Sequence, residues 1–189
     1  MNTVTTELSV ERTVNMGVNR GKQFEEQIKA GFITVPDLVI ERLPDPQNGY
    51  AGVRNICDFF VYSFPFLMFL ECKSCHGNRL PFSNITENQW NGLLEKSEYP
   101  GVIAGYMVWY IDHDMTVFIP AKALKILKDG GCKSIGYNDE IISSDYCTLV
   151  PGKKKRILFD YDMESFITEL RKKEILWEGE RIYYGKIKS

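Results

Sequence analysis

An apolar run bracketed by charged residues constrains this chain more than any other part of its sequence. Residues 59–70 are almost all aromatic or aliphatic, with Asp58 directly before them and Glu71-Cys72-Lys73 directly after them. Pro65 in the middle of the run predicts a turn, because proline cannot donate to a sheet ladder. The run is too short and too interrupted to span a membrane. We therefore expect a β-hairpin of two buried strands.

The two strands of this hairpin, at about residues 55–62 and 67–74, would bring three charged side chains together. Side chains alternate along a strand, so Glu71 and Lys73 share a face about 7 Å apart, and Asp58 can lie beside them on the neighbouring strand. Unpaired burial of such charges is costly. One interpretation is a lysine that pairs with two carboxylates for structural reasons. The other is a site for a hard cation such as Mg²⁺, which takes oxygen ligands and binds substrate phosphate.

Length and composition limit the classes of protein to consider. A chain of 189 residues suits one domain with its own core, and 13% aromatic residues fit a fold that contains β-strands. The net charge of −2 provides no general basic field, so a protein of this composition that binds nucleic acid must concentrate its basic residues locally. The N-terminus lacks a secretory pattern, and we expect a cytoplasmic protein of a bacterium or a phage-infected bacterial cell, without membrane association. Residues 1–18 are expected to be a flexible arm.

The cysteines allow two further interpretations. Their odd number, five, argues against a disulfide framework in a protein without a secretory signal. Cys72, Cys75 and His76 match the C-x-x-C-H pattern of c-type haem attachment, and Cys72 and Cys75 could form a zinc site with Cys132 and Cys147. Strand alternation points Cys72 and Cys75 to opposite faces, which disfavours both. We predict that Cys72 is a small core residue.

The remaining patterns predict helices on both sides of this hairpin. A helix over residues 20–30 would begin after Asn19 as N-cap and end at Gly31. Thr86 and Gln89 form a capping box that begins a second helix, ending near Ser97. The order α-β-β-β-α-β-β-α predicts an α/β fold, a mixed sheet with helices on its faces. Other predicted elements are strands at 38–43, 102–111 and 115–119, a helix at 121–128, an irregular stretch at 132–150, a basic turn at 151–156, a last helix to about residue 174 that is capped by Asp160 or Asp162, and a strand or packed tail at 177–187.

This order of helix, acid, hairpin, Glu-x-Lys and helix resembles the PD-(D/E)xK nuclease core. Within that superfamily it is most similar to the RecU-type Holliday-junction resolvases, including phage-borne versions, over about residues 17–125. Archaeal resolvases of the same fold share a similar Gly-x-x-x-Glu opening. Two departures stand out: Cys57 occupies the place where proline often precedes the first acid, and the stretch 44–56, where RecU proteins carry a stalk, is short. The residues that carry the resemblance are Asn19-Arg20-Gly21-Lys22-Gln23-Phe24-Glu25, Asp58, Glu71-Cys72-Lys73 and Gln89.

The resemblance implies a restriction-endonuclease-like fold, with residues 19–189 as a single nuclease domain, and a Mg²⁺ site in which Mn²⁺ is an alternative ion. Asp58 and Glu71 would be ligands, with the backbone carbonyl of Cys72 as a third oxygen. Glu25 would reach the ion from the first helix, directly or through a water. Three converging carboxylates repel one another without a cation, which agrees with the interpretation from the residues alone.

The resemblance also implies roles for the neighbouring polar side chains. Lys73 would orient the attacking water or stabilise the pentavalent phosphorus. Gln89 would position Lys73 or the nucleophile, unless it serves only as the partner of Thr86 in the capping box. The residues expected to contact DNA phosphates are Arg20, Lys22 and Arg79.

The function so implied is that of a structure-selective endodeoxyribonuclease, which resolves Holliday junctions by paired symmetric nicks during DNA recombination and repair. Paired nicks on a four-way junction require a two-fold homodimer. Alternatives are another PD-(D/E)xK nuclease of restriction or repair type, a protein that binds junctions without cutting them, and a zinc or haem module. Cleavage of four-way junctions compared with linear duplex separates the resolvase from the first two alternatives, and elemental analysis with a visible spectrum tests the third.

Overall fold

The structure, a computed structural model, describes residues 19–44 and 55–173. The predicted arm at 1–18, most of the short loop at 44–56 and the predicted tail at 177–187 lie outside these residues. The strands are β1 (Val39–Arg42), β2 (Phe59–Ser63), β3 (Phe66–Cys75), β4 (Arg79–Pro81), β5 (Val102–Tyr110), β6 (Met115–Pro120), β7 (Ser134–Gly136), β8 (Thr148–Leu149), β9 (Gly152–Lys155) and β10 (Leu158–Tyr161). The helices are α1 (Arg20–Ile33), α2 (Glu87–Lys96), α3 (Ala121–Asp129), the short α4 (Glu140–Ser143) and α5, described over 163–173.

A six-stranded sheet forms the centre of the protein, in the order β1-β2-β3-β5-β6-β8. β3 and β5 are parallel, and the other neighbouring strands are antiparallel. The parallel pair requires a crossover, and α2 provides it. Two small two-stranded sheets, β4 with β7 and β9 with β10, complete the structure.

Helices cover both faces of the central sheet. On one face, Phe24 and Ile28 of α1 pack in a single core cluster with Phe166 of α5. On the other face, Leu93 of α2 and Leu124 of α3 belong to a second cluster. The predicted α/β class is therefore confirmed: this is the mixed sheet between helices that a restriction-endonuclease-like fold requires.

The local predictions around the hairpin are confirmed except for the start of its first strand, which lies at Phe59 and not near residue 55. The turn at Phe64–Pro65 joins β2 to β3, and their register places Phe59 opposite Leu70. The side chain of Asn19 caps α1 by accepting a hydrogen bond from the Lys22 backbone at 3.2 Å. Both hydrogen bonds of the predicted capping box are present at the start of α2.

The prediction that Gly31 ends the first helix is wrong, because α1 continues to Ile33. A Cβ at residue 31 would lie 2.9 Å from Met163 Cγ and 3.3 Å from the Tyr161 carbonyl oxygen. This glycine therefore permits the close approach of α1 to the chain between β10 and α5. Glycine is needed at position 31 because distant segments pack closely there, and not because the helix ends there.

Two predictions for the C-terminal half also need correction. The stretch 132–150 is not irregular throughout, since it contains β7, α4 and β8. The basic residues 153–155 do not lie in a turn but in β9, and the turn is formed by Arg156 and Ile157. These strands of two to four residues are too short to show a periodic sequence pattern. The last helix is confirmed, with Asp162 accepting a hydrogen bond from the Ser165 backbone at its start.

Within residues 19–44 and 55–173, none of the helices has the length and apolar character needed to cross a lipid bilayer.

Candidate active site

The candidate site begins where the pairing of β2 with β3 ends. The Asp58 backbone N–H donates to the Leu70 carbonyl at 3.0 Å, and the Asp58 carboxylate accepts from the Cys72 backbone N–H at 2.7 Å. The Asp58 carboxylate thus accepts the β3 hydrogen bond that a backbone carbonyl would accept if the pairing of β2 with β3 continued. The N–H and C=O of one residue point to the same side of a strand, so the Cys72 carbonyl faces the edge where Asp58 lies. This is the orientation that the predicted third metal ligand needs.

Glu71 directly precedes Cys72 in β3 and is buried, with 4% of its surface exposed. Its carboxylate oxygen Oε1 is 2.9 Å from Lys73 Nζ and accepts a hydrogen bond from Gln89 Nε2 at 2.5 Å. The predicted sharing of one strand face by Glu71 and Lys73 therefore appears as a direct ion pair. The burial of a carboxylate is tolerated here because two donors satisfy it.

Gln89 connects these charges to the start of α2. Its carbonyl oxygen accepts from Lys73 Nζ at 3.2 Å and from the Thr86 backbone N–H at 3.1 Å. One side chain thus makes both contacts that were considered for Gln89, to the cap of α2 and to Lys73; its role in catalysis stays a prediction. The orientation of Lys73 depends on the cap of the neighbouring helix.

Burial and the charges of neighbouring carboxylates raise the pKa of both central carboxyl groups. Burial, and to a lesser extent the charge of Glu25, raises the pKa of Asp58 to about 6, against the hydrogen bond from Cys72. Burial and the charge of Asp58 raise the pKa of Glu71 to about 7, although Lys73 opposes the shift. Near neutral pH the site holds more negative charge than its own cations stabilise, and an added cation would relieve this.

Glu25 reaches the edge of the site from α1 and carries a partner that the sequence did not reveal. Its carboxylate lies 2.6 Å from a guanidinium nitrogen of Arg42 in β1. β1 is held beside the site because the Leu43 backbone N–H donates to the Asp58 carbonyl at 2.8 Å. The opposite charges of Glu41 and Arg42 within the first predicted strand were the signal that could have suggested a charged partner here.

The segment that carries Asp58 rests on α2. A Cβ at Gly92 would lie 2.4 Å from Ile56 Cγ2, so only glycine lets this segment approach the helix so closely. Asn88 Nδ2 also donates to the Asn55 carbonyl at 3.1 Å. Gly92 was missed by sequence reasoning, although a glycine inside a helix is unfavourable and often has a packing reason.

The three predicted phosphate-contacting residues lie in two places. Arg20 and Lys22 are in the first turn of α1, beside the end of β3, where a Cβ at Gly21 would lie 3.9 Å from Ser74 Oγ. Arg79 lies away from the other site residues, in β4. Its guanidinium is engaged by both carboxylate oxygens of Asp139, at 2.9 and 2.8 Å, and this hydrogen bonding raises the pKa of Arg79. A phosphate contact by Arg79 stays a prediction, one that would compete with Asp139.

The cysteines do not converge on a metal site. Cys72 packs against the core cluster on the α1 face of the sheet, and Cys75 is part of the cluster on the α2 face. Cys132 is exposed and Cys147 buried. His76 Nδ1 lies within hydrogen-bonding distance of the Asp112 carboxylate, at 2.9 Å.

The oxygen atoms that the candidate site offers determine whether Mg²⁺ fits there. No cluster of three or more His, Cys, Asp or Glu side chains in metal-binding geometry occurs among residues 19–44 and 55–173. However, Mg²⁺ is usually bound by only one or two carboxylates, with waters and substrate phosphate completing the octahedron. Asp58 and Glu71, with the Cys72 carbonyl on the same strand edge, are a donor set of that kind.

The comparisons with known proteins found similarity among solved structures only. No protein-family model and no curated protein matches the chain. The solved structures that match include the 1.6 Å structure of Hjc, a Holliday junction resolvase from the archaeal hyperthermophile Archaeoglobus fulgidus. The identity is 14% and the TM-score 0.41, over 54% of this chain and 78% of that chain. At this level of similarity we base the functional inference on the side chains of the site.

Proposed function

We propose that this protein is a Mg²⁺-dependent endodeoxyribonuclease. The observation that carries the proposal is the buried Glu71–Lys73 pair, held against Gln89 and next to Asp58 where the β2–β3 hairpin opens. A purely structural ion pair would not require a second, half-buried carboxylate that raises the pKa of the first. Two acids and a lysine at one sheet edge suit the hydrolysis of a phosphodiester.

Asp58, Glu71 and the Cys72 carbonyl would hold the ion, with Glu25 at the edge of the site. When bound, Mg²⁺ would lower the pKa of a coordinated water and neutralise charge that develops on the phosphate. Lys73 would place a positive charge beside the reacting phosphate, and Gln89 fixes the direction of that charge through its hydrogen bond to Lys73 Nζ. Arg20 and Lys22 would contact the DNA backbone near the exposed N–H groups at the start of α1.

The specific substrate within this class is proposed to be the four-way DNA junction, cut by a homodimer through paired symmetric nicks. The support is the resemblance of Asn19 to Glu25, Asp58 and Glu71 to Lys73 to the RecU-type resolvases. A chain with a net charge of −2 cannot hold DNA by a diffuse field, so its cations must match phosphates in a particular arrangement. Two copies related by a two-fold axis would present two sites to opposed strands.

A competition experiment tests both levels of the proposal. Labelled four-way junction is challenged with excess unlabelled linear duplex or unlabelled junction, with and without Mg²⁺, and light scattering gives the mass. We expect cleavage that depends on Mg²⁺, a dimer, and junction as the stronger competitor. A monomer that duplex displaces as well as junction does would leave a general nuclease. Binding without cleavage in Mg²⁺ or Mn²⁺ would contradict the enzyme and leave a junction-binding protein.

A further inference from the structure

A second group of cations lies outside the candidate active site, on the hairpin of β9 and β10. The strands pair from Gly152 opposite Tyr161 to Lys155 opposite Leu158. Every residue of β9 is exposed. The hairpin contains four consecutive cations, residues 153–156, and a single acidic residue, Asp160. In a chain with a net charge of −2, this is a concentrated local excess of positive charge.

The four cations differ in whether they already have an acidic partner. Lys154 Nζ pairs with Asp114 at 2.5 Å, which ties the hairpin to the turn between β5 and β6. Lys155 Nζ pairs with Asp160 at 2.6 Å. Lys153 and Arg156 have no carboxylate within ion-pair distance in the part of the chain that the structure describes. These two cations are therefore available to an anion from outside the chain.

Arg156 also occupies a position that favours other residue types. Its φ is +58°, in the left-handed region, at the first residue of the two-residue turn. Hairpin turns normally place glycine, asparagine or aspartate at such positions, because a Cβ lies too close to the backbone there, and only glycine avoids this contact or a short polar side chain offsets it by local hydrogen bonding. A cation kept at a strained tip position is an outlier from which a functional role can be inferred.

Contacts along β10 show where the tip of the hairpin lies. The Phe159 backbone N–H donates to Gln27 Oε1 at 3.1 Å, and the Tyr161 carbonyl lies 3.3 Å from a Cβ placed on Gly31. β10 thus runs alongside α1 in the same direction. Two strand residues span about 6.7 Å and four helical residues about 6 Å, so the two elements advance together. Extrapolated backwards, the turn at Arg156 lies level with the first turn of α1.

Helical spacing places Arg20 on the side of α1 that faces the hairpin. Residues 20, 27 and 31 are seven and four positions apart, and such positions share one face of a helix. Glu25 lies on a different side of α1, where it contacts Arg42. The carboxylates and the hairpin tip therefore lie on two flanks of the same helix end, separated by about one helix diameter, roughly 10 Å.

We propose that the β9–β10 hairpin is a second DNA-contacting element, which binds backbone phosphates of the double-stranded arm next to the cleaved strand. This inference rests on the proposed function. Arg156 would continue the basic surface of Arg20 and Lys22 across the start of α1, and Lys153, three residues before the turn, would extend that surface along the hairpin. The contacts would be independent of base sequence, since lysine and arginine on an exposed ribbon meet phosphate first.

The test compares two double variants with equal loss of charge. Lys153→Ala with Arg156→Ala removes the two cations without acidic partners. Lys125→Ala with Lys133→Ala is the matched control, because those lysines lie on or just after α3, on the opposite face of the sheet. Binding to a linear duplex is measured without divalent metal over a series of salt concentrations. The control serves to separate a local contact from a change in total charge.

We expect the hairpin variant to bind duplex about tenfold more weakly at low salt, and its slope of log K against log salt to be shallower by about 1.8, the value for two phosphates. The control variant should match the wild type on both counts. Equal affinities and slopes for the hairpin variant and the control would overturn the inference.

Arg156→Gly separates a binding role from a role in the turn. Glycine accepts the left-handed conformation without strain, so the melting temperature should be unchanged or higher. The affinity for duplex should nevertheless fall by about threefold to tenfold, as for the loss of one phosphate contact. A variant with unchanged affinity would show that Arg156 serves only the turn, and would contradict the inference.

The results also distinguish failure of this inference from failure of the proposed function. If wild-type protein binds duplex, the hairpin variant binds it more weakly, and no DNA is cut in Mg²⁺ or Mn²⁺, the results support the hairpin contact and contradict the nuclease activity. If wild-type protein cuts DNA and the hairpin variant binds like the control, the results support the nuclease activity and contradict the hairpin contact. Wild-type protein that binds no DNA would overturn both.

Discussion

The two hairpins of this protein, β2–β3 and β9–β10, use charge in opposite ways. At the open end of β2–β3, the charges are buried or half-buried and each has a definite partner: Glu71 contacts Lys73, and Asp58 contacts the Cys72 backbone. On the β9–β10 hairpin, Lys153 and Arg156 are exposed and have no carboxylate partner among the described residues. Buried charges must be oriented by the fold, whereas exposed cations are oriented by whatever binds them.

This difference predicts a division of labour. The β2–β3 end should determine the rate of phosphodiester cleavage, and the β9–β10 tip should contribute to affinity for DNA. Variants at the first hairpin should then lower turnover with little effect on binding, and variants at the second should do the reverse. A variant at either hairpin that changes both quantities equally would weaken the division.

The largest effect is expected from removing the charge of either central carboxylate. Asp58→Asn and Glu71→Gln should abolish cleavage while binding to DNA is retained, because binding depends on many distributed phosphate contacts. Cleavage is measured by single-turnover assays in Mg²⁺, and affinity in its absence. A rate within about tenfold of the wild type, roughly 1.4 kcal/mol of barrier, would contradict the assignment of these residues.

Lys73→Ala should have the next largest effect, a loss of about 100-fold in turnover at nearly unchanged affinity. Lys73 Nζ touches both Glu71 and Gln89, so its loss also leaves a buried carboxylate with one donor fewer. The assay is therefore run well below the melting temperature of the variant. If Lys73→Ala lowers the melting temperature and cleavage persists, Lys73 is only a structural partner of Glu71.

The sequence predicted most of the first hairpin and little of the second. Alternation along a strand and the Thr86–Gln89 capping box are local patterns, so the shared face of Glu71 and Lys73 and the start of α2 could be predicted from neighbouring residues. The strand conformation of 152–155 could not, because its partner β10 and its support on α1 come from distant parts of the chain.

The Arg42–Glu25 pair and the two close-packed glycines, Gly31 and Gly92, were missed for the same physical reason. Each reflects contact between segments that are separated in sequence, and a glycine that is needed for close packing looks the same in the sequence as one that ends a helix. The metal site, the homodimer and the phosphate contact of Arg79 stay predictions.

A pH dependence of stability should also separate the two hairpins. The pKa values of Asp58 and Glu71 in the folded protein are about 6 and 7, above their ordinary values of 3.8 and 4.5. The folded state therefore binds more protons than the unfolded state between about pH 4 and 7, and the stability of the metal-free protein falls as the pH rises through that window. We expect a loss on the order of 4 kcal/mol from these groups between pH 5 and 8.

Chemical denaturation of metal-free protein at pH 5 and pH 8 measures this loss. Glu71→Gln, which cannot ionise, should show a smaller loss than the wild type, and Lys153→Ala should show the same loss as the wild type. Mg²⁺ should stabilise the wild type more at pH 8 than at pH 5, because binding requires ionised carboxylates. An identical pH profile for Glu71→Gln and the wild type would contradict the buried-carboxylate origin of the effect.

The smallest effect is expected from the packing that sets the position of Asp58. Gly92→Ala would place a methyl group 2.4 Å from Ile56 Cγ2, so the segment 55–58 must shift or α2 must move. We expect turnover to fall by about tenfold, because a small displacement of a catalytic group is enough for a loss of this size, with DNA affinity unchanged. Ile56→Ala combined with Gly92→Ala makes room for the methyl group and should restore part of the activity. Gly130→Ala, at the end of α3, is the matched control. If Gly92→Ala lowers activity and Ile56→Ala does not relieve the loss, the contact with Ile56 is not what positions Asp58.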